Sequence, residues 1–224
     1  MKILTFDTSL DKTYVTLSDN GVFLADEIIE NHNEKYHSAF LIPTIVSILK
    51  NNKLTMQDID VIGTNIGPGS FTGIRACVTV ARVMAQQLDI PLVGVSSLEI
   101  LSKINNSLKK TVVVLDARKQ QFYTAIYENG KEVQQPKLTP KEDLLKLSFE
   151  NSCVISDEVS HEVLKEISVD TQIYTRIKAD LGKYLNNLVS QKISAAQKDE
   201  YLWAKLKPLY LQAPPVTISA KNKN

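Results

Sequence analysis

Glycine is scarce in this chain, 8 in 224 residues, yet three fall within the nine residues from Gly67 to Arg75. Cysteine is scarcer still. Cys77 and Cys153 lie in separate segments without metal-type spacing, so a buried, reduced role is expected for both. No apolar run approaches the roughly 18 residues of a membrane span. Met1-Lys2-Ile3-Leu4-Thr5-Phe6-Asp7 meets charge too early for a signal peptide, and a soluble cytoplasmic protein is expected. The 26 basic and 25 acidic side chains leave a net charge of +1, which excludes a global pull toward nucleic acid or membrane but leaves room for a local patch. Histidine offers no metal pair. His32 and His37 are five apart and would diverge by roughly 140° on a helix, and no Ser/His/Asp or Cys/His set is in view. With 43% hydrophobic residues, the chain can bury the core of one domain or two small ones.

Alternation and turn residues predict strands at 2–9, 12–18 and 22–29, the last two joined by the hairpin signal Asn20-Gly21. A helix is expected over 34–50, with Asn33 as its cap and Pro43 as an interruption. A helical turn at 55–58, a strand at 60–66, a helix at 70–88, a strand at 91–95 and a helix capped at Ser96 and ending near Asn106 follow. The pattern then restarts. At an offset of 109, Asp7 falls on Asp116, Tyr14 on Tyr123, Asn20 on Asn129 and Gly21 on Gly130, which reads as an internal duplication. The expected organisation is a first unit over 1–106, completed by a segment near 192–213, a second unit over 107–191, and a loose tail over 214–224.

Two places invite chemistry. Asp7-Thr8-Ser9 closes the first strand with a carboxylate and two hydroxyls, suited to hydrated Mg²⁺ or a phosphate, or simply to a turn. Gly67, Gly69 and Ser70 form a strand-to-helix turn whose backbone N–H groups could cradle a phosphate. The lysine of a P-loop is absent, and the Gly-x-Gly-x-x-x-Gly spacing is not a dinucleotide fingerprint. The helix launched there carries a stripe of Gly73, Cys77 and Ala81, flanked by Ala76 and Ala85, that permits close approach of another backbone. Ile74, Val78 and Val83 occupy its other sides, and the helix over 34–50 is apolar nearly all round. Faces left over after packing on the chain's own sheet call for a partner protein.

Gly67-Pro68-Gly69-Ser70-Phe71-Thr72-Gly73-Ile74-Arg75, together with Ile90 to Glu99, Asp7-Thr8-Ser9, His37-Ser38, Asp116-Ala117-Arg118 and Pro208-Leu209-Tyr210-Leu211, resembles the bacterial TsaB (YeaZ) family of tRNA threonylcarbamoyladenosine biosynthesis proteins. The resemblance spans most of the chain and is strongest over 1–125. It implies an actin-like (ribonuclease H-like) α/β fold of two duplicated subdomains, the second degenerate. It implies a non-catalytic scaffold that heterodimerises with a TsaD-type catalytic subunit and works with a TsaE-type ATPase. Together these transfer threonylcarbamoyl to the adenosine beside the anticodon. It places partner binding on the first two helices, here at His37, Phe40, Leu41, Ile45, Gly73, Ile74, Cys77, Val78, Ala81 and Arg82. Homodimerisation when isolated, ATP or ADP at the complex interface, and tRNA as an indirect partner are also expected. No intrinsic cofactor, catalytic residue or metal is expected. Asp116-Ala117-Arg118-Lys119 lacks the glycines of a second phosphate loop, so Asp7 to Ser9 and Gly67 to Ser70 read as vestigial phosphate loops. Gln212 stands where the family often has arginine. The rival reading is an autonomous ATP-dependent phosphotransferase of the same fold.

Overall fold

Residues 1–30, 38–105, 110–195 and 198–212 are described by the computed structural model of the chain. β1 (Lys2–Asp7) is buried from Ile3 onward, as a central strand with neighbours on both edges and layers on both faces must be. It pairs antiparallel with β2 (Thr13–Asp19), which pairs antiparallel with β3 (Val22–Ile29). On its other edge it pairs in parallel with β4 (Val61–Asn65), and β5 (Leu92–Val95) follows, giving the order β3-β2-β1-β4-β5. The second sheet is built from β6 (Lys110–Asp116), β7 (Gln121–Glu128), β8 (Lys131–Pro140), β9 (Ser152–Ser156) and β10 (Gln172–Ile173). Read from its antiparallel edge, its order β8-β7-β6-β9-β10 repeats the first sheet position for position.

The duplication is therefore topological. Both Asn-Gly pairs turn their hairpins with two positive φ angles, 48° and 82° at Asn20-Gly21 and 50° and 73° at Asn129-Gly130. Register, however, corrects one equivalence drawn from the offset of 109. Tyr14 stands opposite Asp7, but its counterpart Tyr123 stands opposite Leu115, and Asp116 pairs with Phe122. The connection over 117–120 is one residue shorter than that over 8–12, so the second strand of the hairpin keeps step while the first slips by one. A one-residue slip exchanges faces. Leu115 joins the core between the sheets, and Asp116 does not occupy the position of Asp7.

Six helices accompany the sheets among the described residues: α1 (Ser38–Asn51), α2 (Phe71–Leu88), α3 (Ser97–Ser102), α4 (Lys141–Leu144), α5 (Glu158–Lys165) and α6 (Leu181–Ala195). Helices α1 and α2 cover one face of the first sheet around Leu4, Phe6, Val15 and Leu17. Helices α4 and α5 cover the far face of the second around Val112, Val114 and Phe122. A third cluster joins Ile3 and Tyr14 of the first sheet to Val113, Leu115 and Tyr127 of the second through α3 and α6. Helix α6 belongs to the second half in chain order but packs on the first sheet, where Ser18 Oγ donates to Asn186 Oδ1 at 2.7 Å. The boundary expected between 191 and 192 falls inside this helix. Helix α1 continues through Pro43. Asn33, His32, His37 and the tail over 214–224 lie outside the described residues.

Candidate functional site

The first strand ends in a carboxylate that the surrounding elements enclose. Asp7 is 2% exposed. Its Oδ1 accepts from the Ser9 backbone N–H at 2.6 Å and from Ser9 Oγ at 2.7 Å, and its Oδ2 accepts from Asn65 Nδ2 at 2.9 Å. Asn65, at the end of β4, uses its own Oδ1 to accept from the Gly67 N–H at 2.8 Å and Ser97 Oγ at 3.0 Å. One network thus ties the ends of β1 and β4 to the starts of α2 and α3. Burial raises the Asp7 carboxyl above its ordinary 3.8, and the Ser9 and Asn65 hydrogen bonds oppose the rise.

The sign of that shift has a measurable consequence. An acid with a raised folded-state pKa binds more protons folded than unfolded, so its contribution to stability falls as pH rises from about 4 through the folded value. The stability difference between wild type and Asp7→Asn, followed by urea titration upward from about pH 4, is expected to move in the variant's favour and then level off. A constant difference would mean Asp7 does not ionise differently on folding.

The Gly67 and Ser70 N–H groups, two of the donors expected to cradle a phosphate, are spent inside the chain. The Ser70 N–H donates to the Ser9 carbonyl at 2.8 Å, and the Gly73 N–H donates to Ser70 Oγ at 3.3 Å, which caps α2 as expected. Thr8 N–H donates to Cys77 Sγ at 3.0 Å, and Thr8 Oγ1 donates to the Gly73 carbonyl at 3.0 Å. The 8–9 backbone lies directly on α2. A Cβ on Gly73 would overlap the Thr8 carbonyl oxygen, and one on Gly69 would stand 2.5 Å from the Ser9 carbonyl oxygen. Gly69 and Gly73 are thus explained by close approach of two backbones within the chain, and Gly67 by its φ of +99°.

That contact corrects the reading of the small-residue stripe. Gly73, Ile74, Cys77, Val78 and Ala81 were expected at a partner surface, but all five are buried, packed against the chain's own first sheet. Leu41 and Ile45 of α1 are buried in the same core. The Cys77 thiol is pushed up to about 12 by burial and then by the nearby Asp7 carboxylate, so it is an inert core group. Of the residues expected at that surface, Phe40 is exposed, Arg82 is half-buried over the Trp203 ring at 5.9 Å, and His37 lies outside the described residues.

The outward sides of the two helices are apolar at other positions. Ile42 and Val46 on α1 are 51% and 58% exposed, and Val83 on α2 is 53% exposed. Leftover apolar faces of both helices were expected to meet a partner, but none of these three residues was among the contact residues expected there. The chain's end runs past the same region. The Leu209 N–H donates to the Ile66 carbonyl at 2.8 Å, and the Tyr210 ring centroid lies 5.5 Å from that of Phe71. Gln212 Nε2 donates to the Ala117 carbonyl at 2.8 Å, joining this segment to the hairpin turn of the second sheet. Among the described residues no group of three or more His, Cys, Asp or Glu side chains is placed to hold a metal ion, and no helix is long and apolar enough to cross a membrane.

Two sheets of order 3-2-1-4-5, each with an antiparallel hairpin on one edge and helices packed on both faces, define a duplicated actin-like α/β protein. The chain belongs to the family described as TsaD: tRNA N6-adenosine threonylcarbamoyltransferase, whose model matches residues 26–200. Within it, the chain is similar to proteins named tRNA threonylcarbamoyladenosine biosynthesis protein TsaB. The one from Bacillus subtilis is 36% identical over 57% of this chain and 56% of that protein. The one from Buchnera aphidicola subsp. Baizongia pistaciae is 28% identical over 93% of this chain and 97% of that protein. The matched region thus spans little more than half of the Bacillus relative. The solved YeaZ from Pseudomonas aeruginosa shares the fold, with a TM-score of 0.74 at 21% identity over 94% of this chain and 99% of that one.

Proposed function

We propose that the chain is a non-catalytic scaffold subunit required for threonylcarbamoyl transfer to the adenosine beside the anticodon of tRNA. It acts by docking a TsaD-type catalytic subunit on the outer face of α1 and α2. The observation that carries the reading is the pairing of a closed loop site with an open helix face. The Asp7 and Gly67 loops bond to each other directly and through Asn65, whereas Ile42, Val46 and Val83 stand exposed on two helices that pack together. Scattered apolar residues on a surface need no partner, but an apolar side shared by adjacent helices does. A docked area of about 800 Å² per partner is the ordinary scale for such contacts. The same face serves a second copy of the chain when the partner is absent. A TsaE-type ATPase, and ATP or ADP at the boundary, belong to the assembly rather than to this chain alone.

The test is reconstitution. Transfer to tRNA by the TsaD-type and TsaE-type subunits is expected to depend on adding this chain, and calorimetry is expected to show one chain bound per catalytic subunit. Undiminished transfer without the chain would end the proposal. Tight binding of ATP–Mg²⁺ by the chain alone, with turnover abolished in Asp7→Ala, would instead establish the phosphotransferase reading.

A further inference from the structure

Charge is nearly balanced over the whole chain but not along α2. From Phe71 to Leu88 the only ionised side chains are Arg75 and Arg82, and from Tyr201 to Gln212 they are Lys205 and Lys207. These two stretches enclose a cleft of about 320 Å³ lined by Arg75, Val78, Arg82, Val83, Trp203 and Tyr210 among others. The cations are held on rings. The Arg75 guanidinium lies 5.3 Å from the Phe71 centroid, and the Arg82 guanidinium lies 5.9 Å from that of Trp203. Contact with a ring fixes a guanidinium without spending its N–H donors. The Phe71 and Tyr210 rings are themselves 50% and 48% exposed, so aromatic surface remains open at one end.

Spacing adds to this. Arg75 and Arg82 are seven residues apart, which on a helix is roughly 10 Å along the axis and within about 20° of one line. That length matches about three stacked nucleotides at ~3.4 Å each. A groove that sets cations beside part-exposed rings suits single-stranded nucleic acid, whose phosphates meet the cations while its bases pack on the exposed aromatic surface. An acidic peptide would use the cations but leave the rings bare. Val83 lines both this cleft and the proposed docking face, so the two surfaces meet at that residue, and Trp203, Pro208 and Tyr210 extend the cleft beyond it.

We propose that this cleft is an RNA-docking surface for a short single-stranded segment, with phosphates on Arg75 and Arg82 and bases against Phe71 and Tyr210. The inference rests on reading the chain as part of a tRNA-modifying assembly, and it gives the chain a direct contact with the substrate.

The experiment titrates the full-length chain alone into a fluorescent RNA stem-loop with an unpaired loop, between 50 and 200 mM salt. A fully paired RNA of equal length is the comparator. Arg75→Gln/Arg82→Gln is expected to weaken loop binding about ten-fold and to reduce the slope of log affinity against log salt by about 1.4. Tyr210→Ala is expected to weaken it about ten-fold with the slope unchanged. Tyr210 and Arg75 are exposed, so Tyr210→Ala and Arg75→Gln alone keep the test usable if the double variant melts early. Equal binding of paired and unpaired RNA, or an unchanged slope in the double variant, would overturn the proposal. So would a double variant that keeps RNA affinity but loses the TsaD-type subunit, since the cleft would then be a protein contact. Because the chain is titrated alone, failure of the docking proposal would leave this result intact.

Discussion

Gly73→Ala is expected to cost several kcal/mol of stability, out of the ~5–15 typical of a domain. Alanine is the better helix former by about 1 kcal/mol, so propensity alone predicts the opposite. Packing decides the sign. The added methyl would overlap the Thr8 carbonyl oxygen and come within 2.7 Å of the Thr8 carbonyl carbon and 2.9 Å of the Ser9 Cα. All three are backbone atoms and cannot rotate away. Relief requires moving the 8–9 segment off α2, which breaks the Thr8 hydrogen bonds to Cys77 and to the Gly73 carbonyl. Overpacking of about 1–3 kcal/mol and two bonds of about 1 kcal/mol each sum to ~3–5, and the propensity gain of about 1 leaves a net cost of ~2–4. For a chain of this size that corresponds to a fall in Tm of roughly 4–16 °C. Gly21→Ala is the control: nothing lies within 4 Å of its added Cβ, but its φ is +82°, so a loss near 1 kcal/mol is expected from backbone strain alone. Thermal melts that rank the two equally would refute the close-approach account of the motif.

Val46→Glu is expected to have the opposite profile, an unchanged melt and a lost partner. The side chain is 58% exposed, and glutamate is at least as good a helix former as valine, so the isolated chain has no reason to unfold. Docking would bury the new carboxylate without a counter-charge, at a cost of about 3–5 kcal/mol. That is a loss of roughly 150- to 4,000-fold in affinity for the TsaD-type subunit, readable by calorimetry. Val159→Glu on α5 is similarly exposed, at 52%, but lies on the second sheet's helix and should change nothing. Ala81→Glu is the wrong probe, because Ala81 is 0% exposed and a charge there would unfold the chain whatever it binds.

Local features of this fold were readable from sequence. Asn20-Gly21 and Asn129-Gly130 form their turns because two positive φ angles suit those residues in any context, and Ser70 caps α2 through a bond three residues long. What failed depended on contacts distant in sequence. Small residues at 73, 77 and 81 announce that a backbone comes close, but not whose, and here it is the chain's own 8–9 segment. Helix α1 is apolar on both sides, so periodicity could not separate buried Leu41 and Ile45 from exposed Ile42 and Val46. The repeat aligned Asp7 with Asp116 because residue identity cannot reveal that a connection one residue shorter shifts one strand past its partner. Helix α6 crosses to the first sheet, which chain order does not foretell.

The most direct measurement is threonylcarbamoyl incorporation into tRNA by the reconstituted subunits, comparing Val46→Glu with Asp7→Asn in this chain at a temperature where both melt curves show folded protein. The scaffold account predicts that Asp7→Asn supports transfer near the wild-type rate and that Val46→Glu, at concentrations that saturate the wild-type complex, supports little. The reverse pattern, transfer lost with Asp7→Asn and kept with Val46→Glu, would contradict it.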